Sequence, residues 1–301
     1  MKKRYNSTRE YYKIKYGERV LKICVDGGFT CPNRDGNKGF GGCTFCSERG
    51  SGDKLTQTTI QTQIANYFSS YKASRANKFV VYFQNFSGTY DNINSLREKY
   101  LASLQDDRIV GINIGTRPDC INDDIVKLLK EIKKTVNVTV ELGLQTANEN
   151  IGKEINRCYT NNDFTYAVNL LNDANIDVIA HIMVGLPQES YCDIQNTVAF
   201  INSHKLLGLK IHSTYIVQNT ILAEQYRKQI YKPISLEYYI ENLAYIVNHI
   251  SPELILFRIV GDAPKDMLIA PEWNAHKKIT LNAINNFFEK NDVYQGKFYT
   301  K

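Results

Sequence analysis

Short apolar runs alternate along the chain with segments whose apolar residues recur at helical spacing, and this alternation limits the possible folds more than any other feature. The runs are Val20–Val25, 79–86 (FVVYFQNF), 109–114, 136–144 (VNVTVELGL), Asp177–Val184 (DVIAHIMV) and 209–217 (LKIHSTYIV). Between them lie 56–71, 94–104, 122–133, 161–172 and 189–203, which carry the helical pattern. Several of these open on Asn or Asp, whose side chains accept a bond from an unpaired N–H at a helix start. Strands that alternate with helices pair in parallel through right-handed crossovers. Six such units predict an α/β fold, a partial (β/α)6 TIM-like barrel, because a full eight-stranded ring takes about 250 residues by itself. After residue 220 the pattern changes: 236–250 reads as a helix, 253–260 as a strand and 273–288 as a last helix. The expected organisation is therefore a barrel over 1–220 with a C-terminal α/β extension over 221–301 packed on it.

Composition narrows the class. With 301 residues, 43% apolar and 23% charged, the chain is long enough to build its own core. No stretch approaches the roughly 18 uninterrupted apolar residues of a membrane helix, and the start MKKRYNSTREYY lacks an apolar signal core, so a cytoplasmic protein with no membrane partner is expected. Seven cysteines is an odd count, which favours metal or catalytic use of thiols over a disulfide framework. The net charge of +6 is local. Residues 1–22 hold eight of the 37 basic residues (Lys2, Lys3, Arg4, Arg9, Lys13, Lys15, Arg19, Lys22) and two of the 31 acidic ones, leaving 29 of each elsewhere. Interleaved with Tyr5, Tyr11, Tyr12 and Tyr16, this strip either holds phosphates and stacks on unpaired bases or is a solvated basic arm.

Directly after the first run comes GGFTCPNRDGNKGFGGCTFCSERG, a loop over about 27–50 that carries Cys31, Cys43 and Cys46. Three thiolates in one glycine-rich loop can hold a [4Fe–4S] cluster by three irons and leave the fourth to a non-protein ligand. Phe45 then lies beside that ligand. A zinc site completed by Cys24 or a distant histidine is the competing reading, and a dithiol couple of Cys43 and Cys46 a third. Placement at the end of the first strand of a partial barrel favours the cluster. Cys24, Cys120, Cys158 and Cys192 are scattered and read as structural.

A glycine-rich cysteine loop ending Cys-x-aromatic-Cys and opening a six-unit barrel resembles the radical S-adenosylmethionine (SAM) enzymes. The eleven-residue gap in CPNRDGNKGFGGCTFC is similar to that of the YhcC/YtqA (MnmL) family, related to the radical SAM domain of the Elongator catalytic subunit. GTRPDCI (115–121), ELGLQT (141–146), HIMVGLPQES (181–190), LKIHSTYIV (209–217) and RIVGDAPKDMLIAPEWN (258–274) extend the resemblance almost to the C-terminus. It implies a [4Fe–4S] cluster on Cys31, Cys43 and Cys46 whose open iron chelates SAM, and a 5′-deoxyadenosyl radical that abstracts a substrate hydrogen.

Ligand-binding groups of such barrels gather at the C-terminal ends of the strands. Arg117 there suits the methionine carboxylate or a nucleic-acid phosphate, with a surface salt bridge as the alternative. Glu141 and Gln145, on one strand face if period two holds, suit the ribose and adenine. A carboxylate in an apolar strand needs a partner in any case. Gly185 in GLPQE either brings backbone close to adenine or makes an ordinary turn. The superfamily's Gly-Gly-Glu after the second strand is absent; the stretch reads FQNFSGTY, and the backbone of Gln84–Asn85 is the expected substitute at the SAM amino group. His181 and His212 rank below Gln145, as bonded core histidines. For an anionic substrate or RNA backbone the candidates are Lys13, Lys15, Arg258, Lys265 and Lys277, with Trp273 read as core.

The resemblance implies tRNA as substrate: conversion of 5-carboxymethylaminomethyl-(2-thio)uridine at the wobble position to 5-aminomethyl-(2-thio)uridine. It also implies a one-electron reductant such as flavodoxin or ferredoxin, and a downstream methyltransferase that acts on the product. The alternatives are a radical SAM enzyme for a non-tRNA small molecule and a non-catalytic zinc-stabilised nucleic-acid-binding protein.

Overall fold

The computed structural model describes residues 3–50, 52 and 55–300; Lys2 of the basic strip lies outside them. Seven strands form one all-parallel sheet: β1 (Val20–Val25), β2 (Lys78–Phe83), β3 (Ile109–Thr116), β4 (Asn137–Gln145), β5 (Asp177–Val184), β6 (Gly208–Ser213) and, beyond the two-residue β7 (Ile216–Val217), β8 (Ile255–Arg258). Sheet order follows chain order, so each crossover lands on the next strand and the sheet curls into a partial barrel. The strand expected in the C-terminal extension thus joins the barrel sheet as its seventh member, satisfying the open edge of β6. The run 209–217 is not one strand. It leaves the sheet after Ser213, and Ile216 and Val217 pair antiparallel with β9 (Leu268–Ala270) instead.

Among the described residues ten α-helices accompany the strands: α1 (Thr8–Tyr16), α2 (Ile60–Phe68), α3 (Ile93–Ala102), α4 (Asp123–Lys133), α5 (Glu149–Glu154), α6 (Asn161–Asp173), α7 (Tyr191–Asn202), α8 (Ile221–Arg227), α9 (Leu236–His249) and α10 (Lys277–Lys290). Side-chain oxygens of Thr59, Asn92, Asn122, Thr160 and Ser190 each accept from an orphan amide in the first turn, which fixes where the crossover helices begin. Among the described residues no helix is long and apolar enough to cross a membrane.

Alternation along the strands separates two environments. Ile23, Val81, Ile114, Val140, Leu142, Ile182, Ile211 and Leu256 point outward and bury against the helices in the main core. Residues of opposite parity face the barrel interior; Val20 and Val80 among them pack at one end of it, and the others include the polar Lys22, Tyr82, Asn113, Glu141, His181, Lys210 and His212. An apolar strand face drives folding while the other face is left for chemistry.

The N-terminal strip is neither a solvated arm nor an open base-stacking surface. Ser7 and Glu10 form a reciprocal capping box, and Gly17, at φ 78°, ends α1 in the left-handed region. Tyr12 is buried beside Val20 and Val80, residues at the start of β1 and near the start of β2, with Tyr11, Tyr16 and Phe257 packed around it. The rings of Tyr11 and Phe257 lie 5.7 Å apart, edge to face. This helix closes the N-terminal mouth of the barrel, so its tyrosines are spent on packing. Lys15 donates to Tyr11 Oη at 2.9 Å and pairs with Asp177 at 3.5 Å, whereas Lys13 is exposed.

Candidate active site at the C-terminal mouth

The cysteine loop follows β1 and folds over the C-terminal ends of the strands. Two consecutive glycines, Gly41 and Gly42, both take φ 77°, a conformation that side chains disfavour and that turns the loop back on itself before Cys43. The loop is tied to the turn after α5. Asn156 Nδ2 donates to the carbonyls of Gly42 (2.8 Å) and Phe40 (3.1 Å), Thr44 N donates to Ile155 O (3.0 Å), and Asn33 Nδ2 donates to Asn156 O (2.5 Å). Arg157, wholly buried, braces that turn by donating to the carbonyls of Leu144, Thr146 and Tyr159.

Cys31, Cys43 and Cys46 line one cavity of about 180 Å³ together with Gln84, Arg117, Glu141, Gln145, His181, Lys210, His212 and Arg258. Phe45, Cys46, Gln145 and both histidines also line an adjoining cavity of about 140 Å³, which extends toward Tyr215 and Val217. Burial, then the neighbouring Cys46 and Cys31, pushes the Cys43 thiol up to about 12. The Cys43 thiol is thus held neutral until a metal cation draws its proton off. Its donor set of three soft sulfurs on one loop fits an iron–sulfur cluster. Among the described residues no three His, Cys, Asp or Glu side chains are grouped so as to hold a single metal ion.

Below the sulfurs sits a charge hub. Glu141 Oε1 accepts from Lys22 Nζ at 3.1 Å and Asn113 Nδ2 at 2.7 Å; Oε2 accepts from Lys210 Nζ and lies 2.9 Å from His181 Nε2. Burial alone would raise this carboxyl, but Lys210 and Lys22, then His181, hold it well below the ordinary carboxylate range. Burial and then Lys210 pull His181 down to about 4 against the raising effect of Glu141, so the imidazole is neutral at pH 7. The partner that a strand-borne carboxylate requires is therefore internal, and no lone pair of Glu141 is left open for a ribose.

The other expected residues divide. Gln145 reaches the cavity by a bulge between β4 and β5 and a φ of 62°, and its Oε1 accepts from Tyr159 Oη at 2.5 Å. Gln84 also lines the cavity, whereas Asn85 is buried next to Gly52 with its Oδ1 unpaired. Arg117 borders the cavity but its fork is occupied: Nε and Nη2 donate to the two Asp119 oxygens at 2.9 and 2.8 Å, and Nη1 to Arg157 O at 3.1 Å. Its fork does make a salt bridge, but a buried one and not the expected surface pair. Gly185 faces a different pocket, beside Glu189 and Tyr231. Its N–H donates to Glu189 Oε2 and its carbonyl accepts from Tyr231, while a Cβ there would meet Ile234 at 2.7 Å. The close approach that demands glycine is to Ile234 and not to an adenine in the cysteine cavity. Lys277 pairs with Asp262 at 2.9 Å, Lys265 is exposed in the segment after β8, and only Arg258 of the C-terminal cations reaches the cavity. Trp273 packs on Tyr239 at 5.3 Å. Cys24 and Cys120 are enclosed, but Cys158 and Cys192 are surface thiols and not core residues.

Residues 31–201 match the family profile of the Radical SAM superfamily, and residues 207–290 match the Radical_SAM C-terminal domain. The chain belongs to the radical SAM superfamily. This radical SAM protein is 37% identical to the protein YtqA of Bacillus subtilis (strain 168) over 99% of its own length and 94% of YtqA. It is 32% identical to protein YhcC of Escherichia coli (strain K12) over 93% of its length and 90% of YhcC. It is also related in sequence to Elongator complex protein 3. Among solved structures, the Elp3 of the archaeon Methanocaldococcus infernus superposes with a TM-score of 0.70 at 18% identity, covering 92% of this chain and 64% of that one, which shows a shared fold. Membership implies a [4Fe–4S] cluster and SAM as cofactors.

Sequence reasoning passed over Lys22, Tyr82, Lys210 and Tyr159. A signal was present for two of them: Lys22 and Lys210 lie inside apolar runs, where an unpaired ammonium is as costly as the unpaired carboxylate that drew attention to Glu141.

Proposed function

We propose that this radical SAM protein modifies tRNA, converting 5-carboxymethylaminomethyl-(2-thio)uridine at the wobble position to 5-aminomethyl-(2-thio)uridine. The observation that carries the reading is one cavity lined both by Cys31, Cys43 and Cys46, which suit a cluster, and by Lys210 and Arg258, which suit an anionic substrate group. The motif resemblance to Elongator-type enzymes supports the tRNA part. The N-terminal tyrosines lend it nothing, because they are packed into the barrel end.

Cys31, Cys43 and Cys46 would hold the cluster, with Phe45 against its exposed corner. When bound, cluster and SAM would supply one-electron reductive cleavage and abstraction of a hydrogen from the carbon between nitrogen and carboxylate; with that radical's electron given back to the cluster, water would hydrolyse the resulting imine to the primary amine and glyoxylate. The protein's part is to orient and to exclude. Gln84 and Gln145 present polar atoms from the ends of β2 and β4. The Glu141 hub fixes Lys210 and His181, and the plug formed by α1 bars water from the far end of the barrel. A one-electron reductant such as flavodoxin or ferredoxin completes the system, and a methyltransferase consumes the primary amine.

Anaerobic reconstitution with SAM, reductant and tRNA from a deletion strain tests the reading. Formation of 5′-deoxyadenosine together with loss of the carboxymethyl mass from the wobble nucleoside supports it; unchanged nucleosides in both the deletion strain and the assay refute it.

A further inference from the structure

Arg258 owes its position to a β-bulge. Leu209 pairs with Leu256 and Lys210 pairs with Arg258, so Phe257 is an extra residue on β8. Leu256 and Ile259 pack into the outer core, whereas Arg258 lines the cysteine cavity beside Lys210. Bulges commonly re-aim a side chain at the edge of a site. Arg34 and Arg117, which also line the cavity, and the nearby Arg157 have their forks filled by Asp119 or by backbone carbonyls. The Arg258 side chain makes no hydrogen bond or ion pair among the described residues.

Charge around it does not balance. Lys22, Lys210 and Arg258 bring three cations to the barrel interior, and Glu141 answers them with both oxygens already committed to Lys22, Asn113, Lys210 and His181. On the same face of β6, two residues beyond Lys210, His212 Nε2 is buried with no hydrogen-bond partner. A buried polar atom without a partner is costly and marks a ligand position. Burial, then Arg258 and His181, keeps this imidazole neutral, so it has one N–H to give. The same surplus of positive charge acts on Lys210, which burial, Lys22 and Arg258 pull well below an ordinary lysine against the effect of Glu141. One anion would answer each of these features.

We propose that Arg258 and His212 form a carboxylate-binding subsite on the β6–β8 wall, and that it takes the carboxymethyl end of the substrate side chain. The planar guanidinium fork matches a carboxylate with two parallel hydrogen bonds, and the imidazole supplies a third. The assignment of the carboxylate to substrate rests on the function proposed above. SAM carries a carboxylate too, and the test separates the two sources.

Calorimetric titration of the anaerobically reconstituted full chain uses three nucleosides, 5-carboxymethylaminomethyluridine, 5-aminomethyluridine and uridine, and SAM as a fourth ligand. The wild-type protein should bind the carboxylated nucleoside at least about tenfold more tightly than the other two. Arg258→Gln should reduce that preference to within about twofold, and Arg258→Lys, which keeps the charge without the fork, should fall between. No preference in the wild type overturns the subsite. So does an Arg258→Gln protein that keeps the preference, or one that loses SAM affinity in its place, which would assign the carboxylate to methionine. Turnover of tRNA separates the two claims: preference without product leaves the subsite standing and removes the proposed reaction, while product without preference does the reverse. Retained iron content and an unchanged thermal midpoint in Arg258→Gln show that the protein is folded.

Discussion

His181 Nε2 lies 2.9 Å from Glu141 Oε2, on the carboxylate oxygen that also holds the Lys210 ammonium. Side chains from β5 and β6 are thereby locked to one carboxylate oxygen on β4. Replacing Glu141 by Gln strands Lys210 and Lys22 inside the barrel. Breaking a buried pair from one side costs about 3–5 kcal/mol. Urea unfolding should show that loss for Glu141→Gln and recover part of it in Glu141→Leu/Lys210→Met, where the fully buried Lys210 charge goes as well and only the partly exposed Lys22 stays unpaired. Equal loss in the two proteins would show that the pair contributes through packing alone.

The same contact has a pH signature. His181 falls from an ordinary 6.5 to about 4 in the folded protein. The unfolded chain therefore binds the extra proton first, and the stability from a neutral His181 is complete above about pH 6.5 and lost as pH falls toward 4. Imidazole resonances should titrate near 4. His181→Gln should flatten this part of the stability profile, and a midpoint near 6.5 would contradict the burial of the pair.

Glu189 gives the opposite slope. Burial raises it to about 8 from 4.5, against the lowering bonds from the amides of Gly185 and Leu186. Here the folded state holds the proton, so the contribution is complete below about pH 4.5 and is lost as pH rises through 8. Glu189→Gln should remove that alkaline decline in melting experiments while leaving the acid limb as it is.

Closure of the barrel's far end is a packing claim. Tyr12→Ala removes the ring that fills the space between Val20, Val80 and Phe257 and should cost roughly 3–5 kcal/mol, as large aromatic truncations in cores do. Ser7→Ala deletes the cap and should cost about 1 kcal/mol. Thermal unfolding of both variants checks the order, and a harmless Tyr12→Ala would mean that α1 is a loose arm.

Much of this was legible in the sequence, for reasons that can be named. Period-two alternation in VNVTVELGL and helical spacing between the runs report burial directly, so the strands and crossover helices fall close to their expected places. The Cys31, Cys43 and Cys46 loop was legible because three thiols among glycines admit few uses. What escaped notice depends on pairing between distant segments. The Ser7–Glu10 capping box is a local signal for α1, but only tertiary contact shows that the helix is a plug. Gly185 and Arg117 were assigned to SAM from their positions in motifs, and it is Glu189, Ile234 and Asp119 that claim them. The bulge that turns Arg258 inward has no sequence mark, because register between β6 and β8 is set by the strands together.

The central claim is that three cysteines hold a cluster with one iron open to SAM. Electron paramagnetic resonance of the reduced, anaerobically reconstituted protein, with iron and sulfide measured on the same sample, tests it most directly. The account predicts about four irons and four sulfides per chain, a signal that shifts on adding SAM, and loss of both in Cys31→Ala, Cys43→Ala or Cys46→Ala. One zinc per chain, or a cluster signal indifferent to SAM, would contradict it.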